Sequence, residues 1–418
     1  FVVLPATGRT TDDPLVVLPG GPGAGGAESA AGIAQLFAPL RKSRDLLLID
    51  QRGTGSSNPL NCPDNSSEER PLGAVAGADV ANTIACRNVL AKKADLRLYF
   101  TREAVLDMEQ VRKSLGYDRL DLFGQSYGTR VALDYLRLFP DRVGQTVIRG
   151  AAPVDMRLPF TSPKDVQRSF DRLAELCKSQ QPCHDHYDLQ KDLRRILARL
   201  NRRAAPITLK DPQTGKVTTG KLDRLGFGTV IFSMLYIPRF YVQLPPLLHQ
   251  AAESGNFSPL AQAAAPFILG ANEGLAWGMY NSVICDEDVR RIPRTKISAA
   301  SKGTLTGRLP IDDSIKSCSV WPVANIPKDY LEPVRTTKPV LIISGEFDPV
   351  AGDNWGAHVA ATLPNSLHLV VPGASHLPPL NKCTADIVSN LYDGSALQKL
   401  DTSCVARVER PSLKVAAP

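Results

Sequence analysis

The sequence predicts an α/β protein: a mainly parallel sheet flanked by helices and interrupted by a large, mostly helical insertion. Three observations carry this. Short apolar runs before residue 151 each end in a glycine-bearing turn, helical patterns lie between them, and the same alternation returns after residue 336. Strands that alternate with helices need crossover connections, and crossovers give parallel pairing.

Taken in order, the strands of the first part are "PLVVLPGG" at 14–21, "DLLLIDQRG" at 45–53, "RLDLFG" at 119–124 and "RVGQTVIRG" at 142–150. In "TREAVLDMEQVRKSLG" the residues Val105, Met108, Val111 and Leu115 recur at helical steps, and Thr101 is placed to cap that helix. After Pro153 the pattern changes to helices, prolines and small residues, as in "FDRLAELCKS", "LQKDLRRILARLNRR" and "YVQLPPLLHQAAESG". "KPVLIISGEFDPV" from Lys338 restores a buried strand, "NWGAHVAATLP" a helix, and "SLHLVVPGASH" a last strand and loop. The expected organisation is therefore an α/β core over 1–153, a helical cap insertion over 154–335 and the rest of the core over 336–418. The tail after Cys404 reads as an exposed terminal strand or extended segment.

At 418 residues, 43% apolar and 22% charged, the chain can bury a sizeable core. Lys and Arg outnumber Asp and Glu by 49 to 42, but the surplus is scattered, so it suits solubility and not a nucleic-acid partner. The longest apolar stretch, Phe227 to Leu248, is broken by Pro238, Arg239, Pro245 and Pro246, so no membrane-spanning helix is expected. The start at Phe1, with no leader, suits a processed or trimmed chain.

Eight cysteines fall as Cys62 and Cys86, Cys177 and Cys183, Cys285 and Cys318, Cys383 and Cys404. None has metal-site or thioredoxin spacing, so neither metal nor cofactor is expected, and the His184-Asp185-His186 run reads as a solvated loop. Their clustering favours nearest-neighbour disulfides, which belong in an oxidising compartment, secreted or periplasmic.

The chemistry centres on "LDLFGQSYGTRVALDYL", where Gly124, Ser126 and Gly128 form G-x-S-x-G between a strand and a helix. That setting makes Ser126 a nucleophile on a sharp turn. A serine hydroxyl needs a base, and the base needs a carboxylate to orient it. Of six histidines, His376 alone follows a late strand in a loop. Asp348 stands beyond the strand before it, held out of helix by Pro349, with Glu346 as the competing acid. The tetrahedral oxyanion needs two backbone donors, expected from Tyr127 and from Gly21 in "LPGGPGAGG".

"GGPG" at 20–23, "DQRGTGSS" at 50–57, "GQSYGT" at 124–129, "GEFDPV" at 345–350 and "GASH" at 373–376 together resemble the proline iminopeptidase family of α/β-hydrolase serine peptidases. Within it, the resemblance is to the exported tripeptidyl-aminopeptidase-like branch, from about residue 14 to about residue 404. Two departures stand out: Pro19 replaces the usual histidine before the glycine pair, and the first strand of the fold is expected to be missing or very short. The resemblance implies that Asp50 and Arg52 support the floor of the site. It also implies carboxylates in the cap that bind the substrate's ammonium group, with Glu273, Asp286, Glu287 and Asp288 as candidates. Phe232, Tyr236, Tyr241 and Trp277 could line an apolar subsite, though aromatics at such spacing more often fill a core.

The expectation is a serine aminopeptidase that releases proline-type or small apolar residues, or short peptides, through an acyl-enzyme. The alternative is a carboxylesterase using the same triad on small acyl esters. A binding protein without catalysis is disfavoured because all three triad positions are filled.

Overall fold

The computed structural model describes residues 1–10, 13–63, 80–211 and 215–415, apart from the side chains of 271–273. The strands are β1 (Val2–Leu4), β2 (Leu15–Leu18), β3 (Leu46–Leu48), β4 (Leu120–Gln125), β5 (Val143–Arg149), β6 (Ala205–Lys210), β7 (Val217–Leu222), β8 (Val340–Gly345) and β9 (Ser366–Val371). Seven of them form one sheet in the order β1-β3-β2-β4-β5-β8-β9. Only β1 runs antiparallel, against β3. The first strand of the sheet is thus present and three residues long.

Parallel strands covered on both faces read as continuous apolar runs, and every residue of β2 and β8 is buried. Because side chains alternate along a strand, the runs feed two separate cores. Val16, Leu18, Leu122, Ile148 and Ile342 pack on one face of the sheet. Leu15, Val17, Phe123, Val147, Leu341 and Ile343 pack on the other.

The principal helices are α1 (Thr101–Ser114), α2 (Tyr127–Leu138), α3 (Ser162–Ser179), α4 (Leu189–Leu200), α5 (Arg224–Tyr236), α6 (Leu244–Ser254), α7 (Ser258–Glu273), α8 (Trp277–Val283), α9 (Leu309–Ser319), α10 (Asp353–Ala360) and α11 (Lys382–Tyr392). The stretch 154–335, expected as one helical insertion, also carries the β6–β7 hairpin and divides by packing. Helices α3 to α7 share a core of their own around Phe170, Ile196, Phe227 and Phe257, into which Phe347 and Leu413 also reach. Residues further on, among them Met279, Val283, Ile284 and Trp321, join the core of the sheet instead.

The cysteines pair as nearest neighbours: Cys62–Cys86, Cys177–Cys183, Cys285–Cys318 and Cys383–Cys404. The tail is largely exposed, as expected, but it is docked at one point. Leu413 is buried, its N–H donates to Gln180 Oε1 at 2.8 Å, and Lys414 N–H donates to the Val242 carbonyl at 2.7 Å. Its apolar residue finds a core, and its backbone donors find partners on the insertion.

Candidate active site

Strand order reverses between β2 and β4, since β3 lies to one side of β2 and β4 to the other. At such a switch point the loops leaving the two strands diverge and open a crevice at their carboxyl ends. The glycine-rich loop after β2 and the turn after β4 therefore meet there.

Ser126 sits in that turn with φ 52° and ψ −122°, a conformation few residues with a Cβ adopt. The strain is held in place. Ser126 N–H donates to the Arg149 carbonyl at 2.9 Å, and the Ser126 carbonyl accepts from Thr129 N–H at 2.9 Å and Thr129 Oγ1 at 2.6 Å. A Cβ on Gly124 would lie 2.7 Å from the Gly128 carbonyl, and one on Gly128 would collide with the Leu18 carbonyl. Both glycines are thus required by close backbone approach. Gly20 packs against Ser126, a Cβ built on it lying 3.6 Å from Ser126 Oγ, while Gly21 and Tyr127 border the same cavity as Ser126. Tyr127 heads α2, where N–H groups have no partner within the helix.

His376 is buried, with Nδ1 2.8 Å from Asp348 Oδ2. Asp348 Oδ1 accepts from Val350 N–H at 2.7 Å and Ala351 N–H at 2.9 Å, so the carboxylate is fixed on both oxygens. Glu346, the competing acid, is engaged elsewhere by Arg410 and Gly373 N–H. His376 Nε2 has no hydrogen-bond partner among the described residues. The imidazole lies against Gly150, the residue after the one that holds Ser126 N–H. The Tyr236 ring sits 4.5 Å from it. Burial pushes the Tyr236 phenol well above its usual range, Asp348 adds to the rise, and the hydrogen-bonded Ser126 hydroxyl opposes it. A tyrosine of α5 thus touches both Ser126 and His376.

The cavity over Ser126 has a volume of about 580 Å³ and is walled by Phe232, Tyr236, Phe267, Trp277 and Tyr280. Tyr241 faces elsewhere: it is fully buried in the core of the insertion, with its hydroxyl on the Gly373 carbonyl at 2.5 Å.

The expected ammonium-binding carboxylates lie differently. Glu287 is fully buried and accepts from Thr101 N–H at 2.6 Å, Thr101 Oγ1 at 2.9 Å, Tyr330 Oη, and Arg130 Nη1 at 3.2 Å. It caps α1 in place of Thr101, whose side chain serves the same carboxylate instead of capping its own helix. Asp286 is buried against Arg290. Neither borders the cavity. A buried carboxylate must pair with a cation, and the buried Arg130 meets Glu287 while the half-buried Arg290 meets Asp286. Asp288, also fully buried, is pushed up to about 6 by burial and by Glu287, against the pull of Arg130 and Arg291. The side chain of Glu273 lies outside the described residues. Among the described residues, the carboxylates that do border the cavity are Asp223 and Asp313.

Asp50 stitches two loops, accepting Ala27 N–H at 2.8 Å and Ser56 N–H at 2.9 Å. Arg52 forks onto Asp107 at 2.6 and 2.7 Å. Sequence reasoning missed Arg130, although it stands four residues after Ser126 and so on the adjoining turn of α2.

Residues 13–206 match the family described as the alpha/beta hydrolase fold, and residues 307–404 match the family described as TAP-like protein. The chain is an α/β-hydrolase. This α/β-hydrolase is similar to serine protease Hip1 of Mycobacterium tuberculosis, at 26% identity over 418 residues, covering 90% of this chain and 77% of that protein. A proline iminopeptidase of Aeromonas sobria is 32% identical over 161 residues, covering 38% of this chain and 33% of its own. The putative hydrolase YuaR of Escherichia coli is 29% identical over 176 residues, covering 40% and 35%.

Proposed function

We propose that this α/β-hydrolase is a serine aminopeptidase, with Ser126 as nucleophile, His376 as general base and Asp348 as the carboxylate that orients it. The observation that carries the reading is the buried His376–Asp348 bond of 2.8 Å beside a serine at positive φ, under a cavity of about 580 Å³. Ser126 Oγ attacks the scissile carbonyl while His376 Nε2 takes its proton, and Asp348 steadies the imidazolium that forms. Tyr127 and Gly21 N–H groups receive the oxyanion. The amine leaves with the proton from His376, and water repeats the sequence to free the acyl group.

The inserted helices act as the cap, and their aromatic wall favours proline-type or other apolar side chains. Asp223 or Asp313 replaces Glu287 as the group that meets the substrate's ammonium. The relatives named as serine protease and proline iminopeptidase support a peptide substrate. Four disulfides favour an oxidising compartment, secreted or periplasmic. No helix among the described residues is long and apolar enough to cross a membrane.

One observation favours ester substrates as a second reading: both cavity carboxylates already have partners, Asp223 in Gly226 N–H at 2.8 Å and Asp313 in Lys316 at 3.4 Å. A mixed peptide library digested by the wild type and by Ser126→Ala, read by mass spectrometry, tests the proposal. Aminopeptidase action shows as products shortened from free N-termini and lost in the variant. Cleavage of short acyl esters with every peptide left intact would overturn it.

A further inference from the structure

Because both oxygens of Asp348 are committed, one to its own turn and one to His376, the carboxylate can aim only where the turn aims. The three carbonyls at the start of that turn all receive side chains from α3. Arg172 Nη1 donates to the Glu346 carbonyl at 2.6 Å, Ser169 Oγ to the Phe347 carbonyl at 2.6 Å, and Arg168 Nη2 to the Asp348 carbonyl at 3.4 Å. Residues at these spacings share one helix face, so a single straight element meets three consecutive peptide groups.

The donors are themselves anchored. Arg172 forks onto Asp353 at 3.0 Å on both oxygens. Arg168 pairs with Asp165 at 2.9 Å, and Asp165 also accepts from Trp355 Nε1 at 3.1 Å. The start of α10, just beyond the turn, is thus gripped by the same face. Gly352 leaves room for this, since a Cβ there would collide with Arg168 Nη2. The Phe347 carbonyl also accepts from Ser375 Oγ at 3.3 Å, from the residue before His376. The Phe347 side chain is buried in the core of the insertion, 5.2 Å from the Tyr241 ring.

We infer that Arg168, Ser169 and Arg172 are positioning residues: through the carbonyls of 346–348 the insertion sets the aim of Asp348 on His376. The insertion therefore governs the rate of acyl transfer as well as which substrate fits. The inference rests on Asp348 and His376 acting as acid and base. A displacement of about 1 Å at a reacting group can cost about a hundredfold in rate without touching substrate.

The test is the rate of inactivation by a fluorophosphonate, with kcat and KM on p-nitrophenyl acetate, for Ser169→Ala, Arg172→Met and the double variant. Lys164→Ala, an exposed residue near the start of α3 with no bond to the turn, is the control. Each single variant should lose about tenfold in inactivation rate and kcat, and the double variant about a hundredfold, with KM within about twofold. Arg172→Lys, which keeps a donor for Glu346, should recover to within about threefold of wild type. Folding is followed by circular dichroism, and if the double variant unfolds, Arg172→Met decides alone, its side chain being partly exposed. Folded variants that react as fast as wild type, a loss confined to KM, or Arg172→Lys as slow as Arg172→Met would each overturn the inference. A wild type inert to the fluorophosphonate would instead overturn the triad.

Discussion

Replacing Glu287 by Gln separates a structural carboxylate from a substrate-binding one. In the wild type Arg130 lies 3.2 Å from Glu287 and 3.2 Å from Asp288, all three fully or almost fully buried. At 3.2 Å and an effective dielectric of about 20, the gross attraction is about 5 kcal/mol. Removing the charge also removes the cost of having buried it, and Asp288 still faces Arg130. The α1 terminus keeps one acceptor, the amide oxygen, for Thr101. A net loss of about 3 kcal/mol follows, at the low end for breaking a buried pair. With a urea m-value of about 3 kcal/mol per M, the unfolding midpoint should fall by about 1 M. Among folded molecules, KM for free-amine and N-acetylated substrates should move together. A Glu287→Gln protein as stable as wild type, with KM raised for free-amine peptides alone, would refute the assignment.

Asp348→Asn should lower kcat by about 10⁴-fold with KM little changed, while Glu346→Gln should cost less than about tenfold, measured on whichever substrate the library reveals. Asp313→Asn and Asp223→Asn should, in at least one case, raise KM for free-amine peptides by about tenfold and leave N-acetylated esters unaffected. Asp288 tests the pH dependence of stability. Its folded pKa, about 6, lies above its unfolded value, so the folded state binds the proton more tightly. Its contribution is therefore fully present below about pH 4 and is lost as pH rises through about 6, so the stability of wild type relative to Asp288→Asn should decline across that window in urea titrations. A difference that stays flat, or grows with pH, would contradict the assignment.

How much of the site was readable follows from how locally each part is encoded. The elbow around Ser126 needs only neighbours in sequence: a strand, two glycines and a helix. The pairing of Asp348 with His376 is legible because each follows an apolar run of strand type, and the sheet brings strand ends together. Glu287 and Asp286 were misread because a carboxylate in a helical stretch looks the same whether it meets substrate or a buried arginine. In sequence Tyr236 reads as an aromatic of either a subsite or a core, and its contact with both Ser126 and His376 joins α5 to two different loops. The expected N-cap at Thr101 failed for the same reason, since a carboxylate 186 residues away displaced it.

By itself the sequence determined the six parallel strands of the sheet, the sharp turn at Ser126 and the nearest-neighbour disulfides. Each depends on periodicity, turn chemistry or short loops, which act over a few residues or a few tens of residues. Only the tertiary structure decided which carboxylates face the cavity, where the tail docks, and how α3 grips the turn of Asp348. Those outcomes depend on burial and on hydrogen bonds between distant segments. The cost of leaving a buried charge or carbonyl unpartnered is paid only once the fold has closed around it.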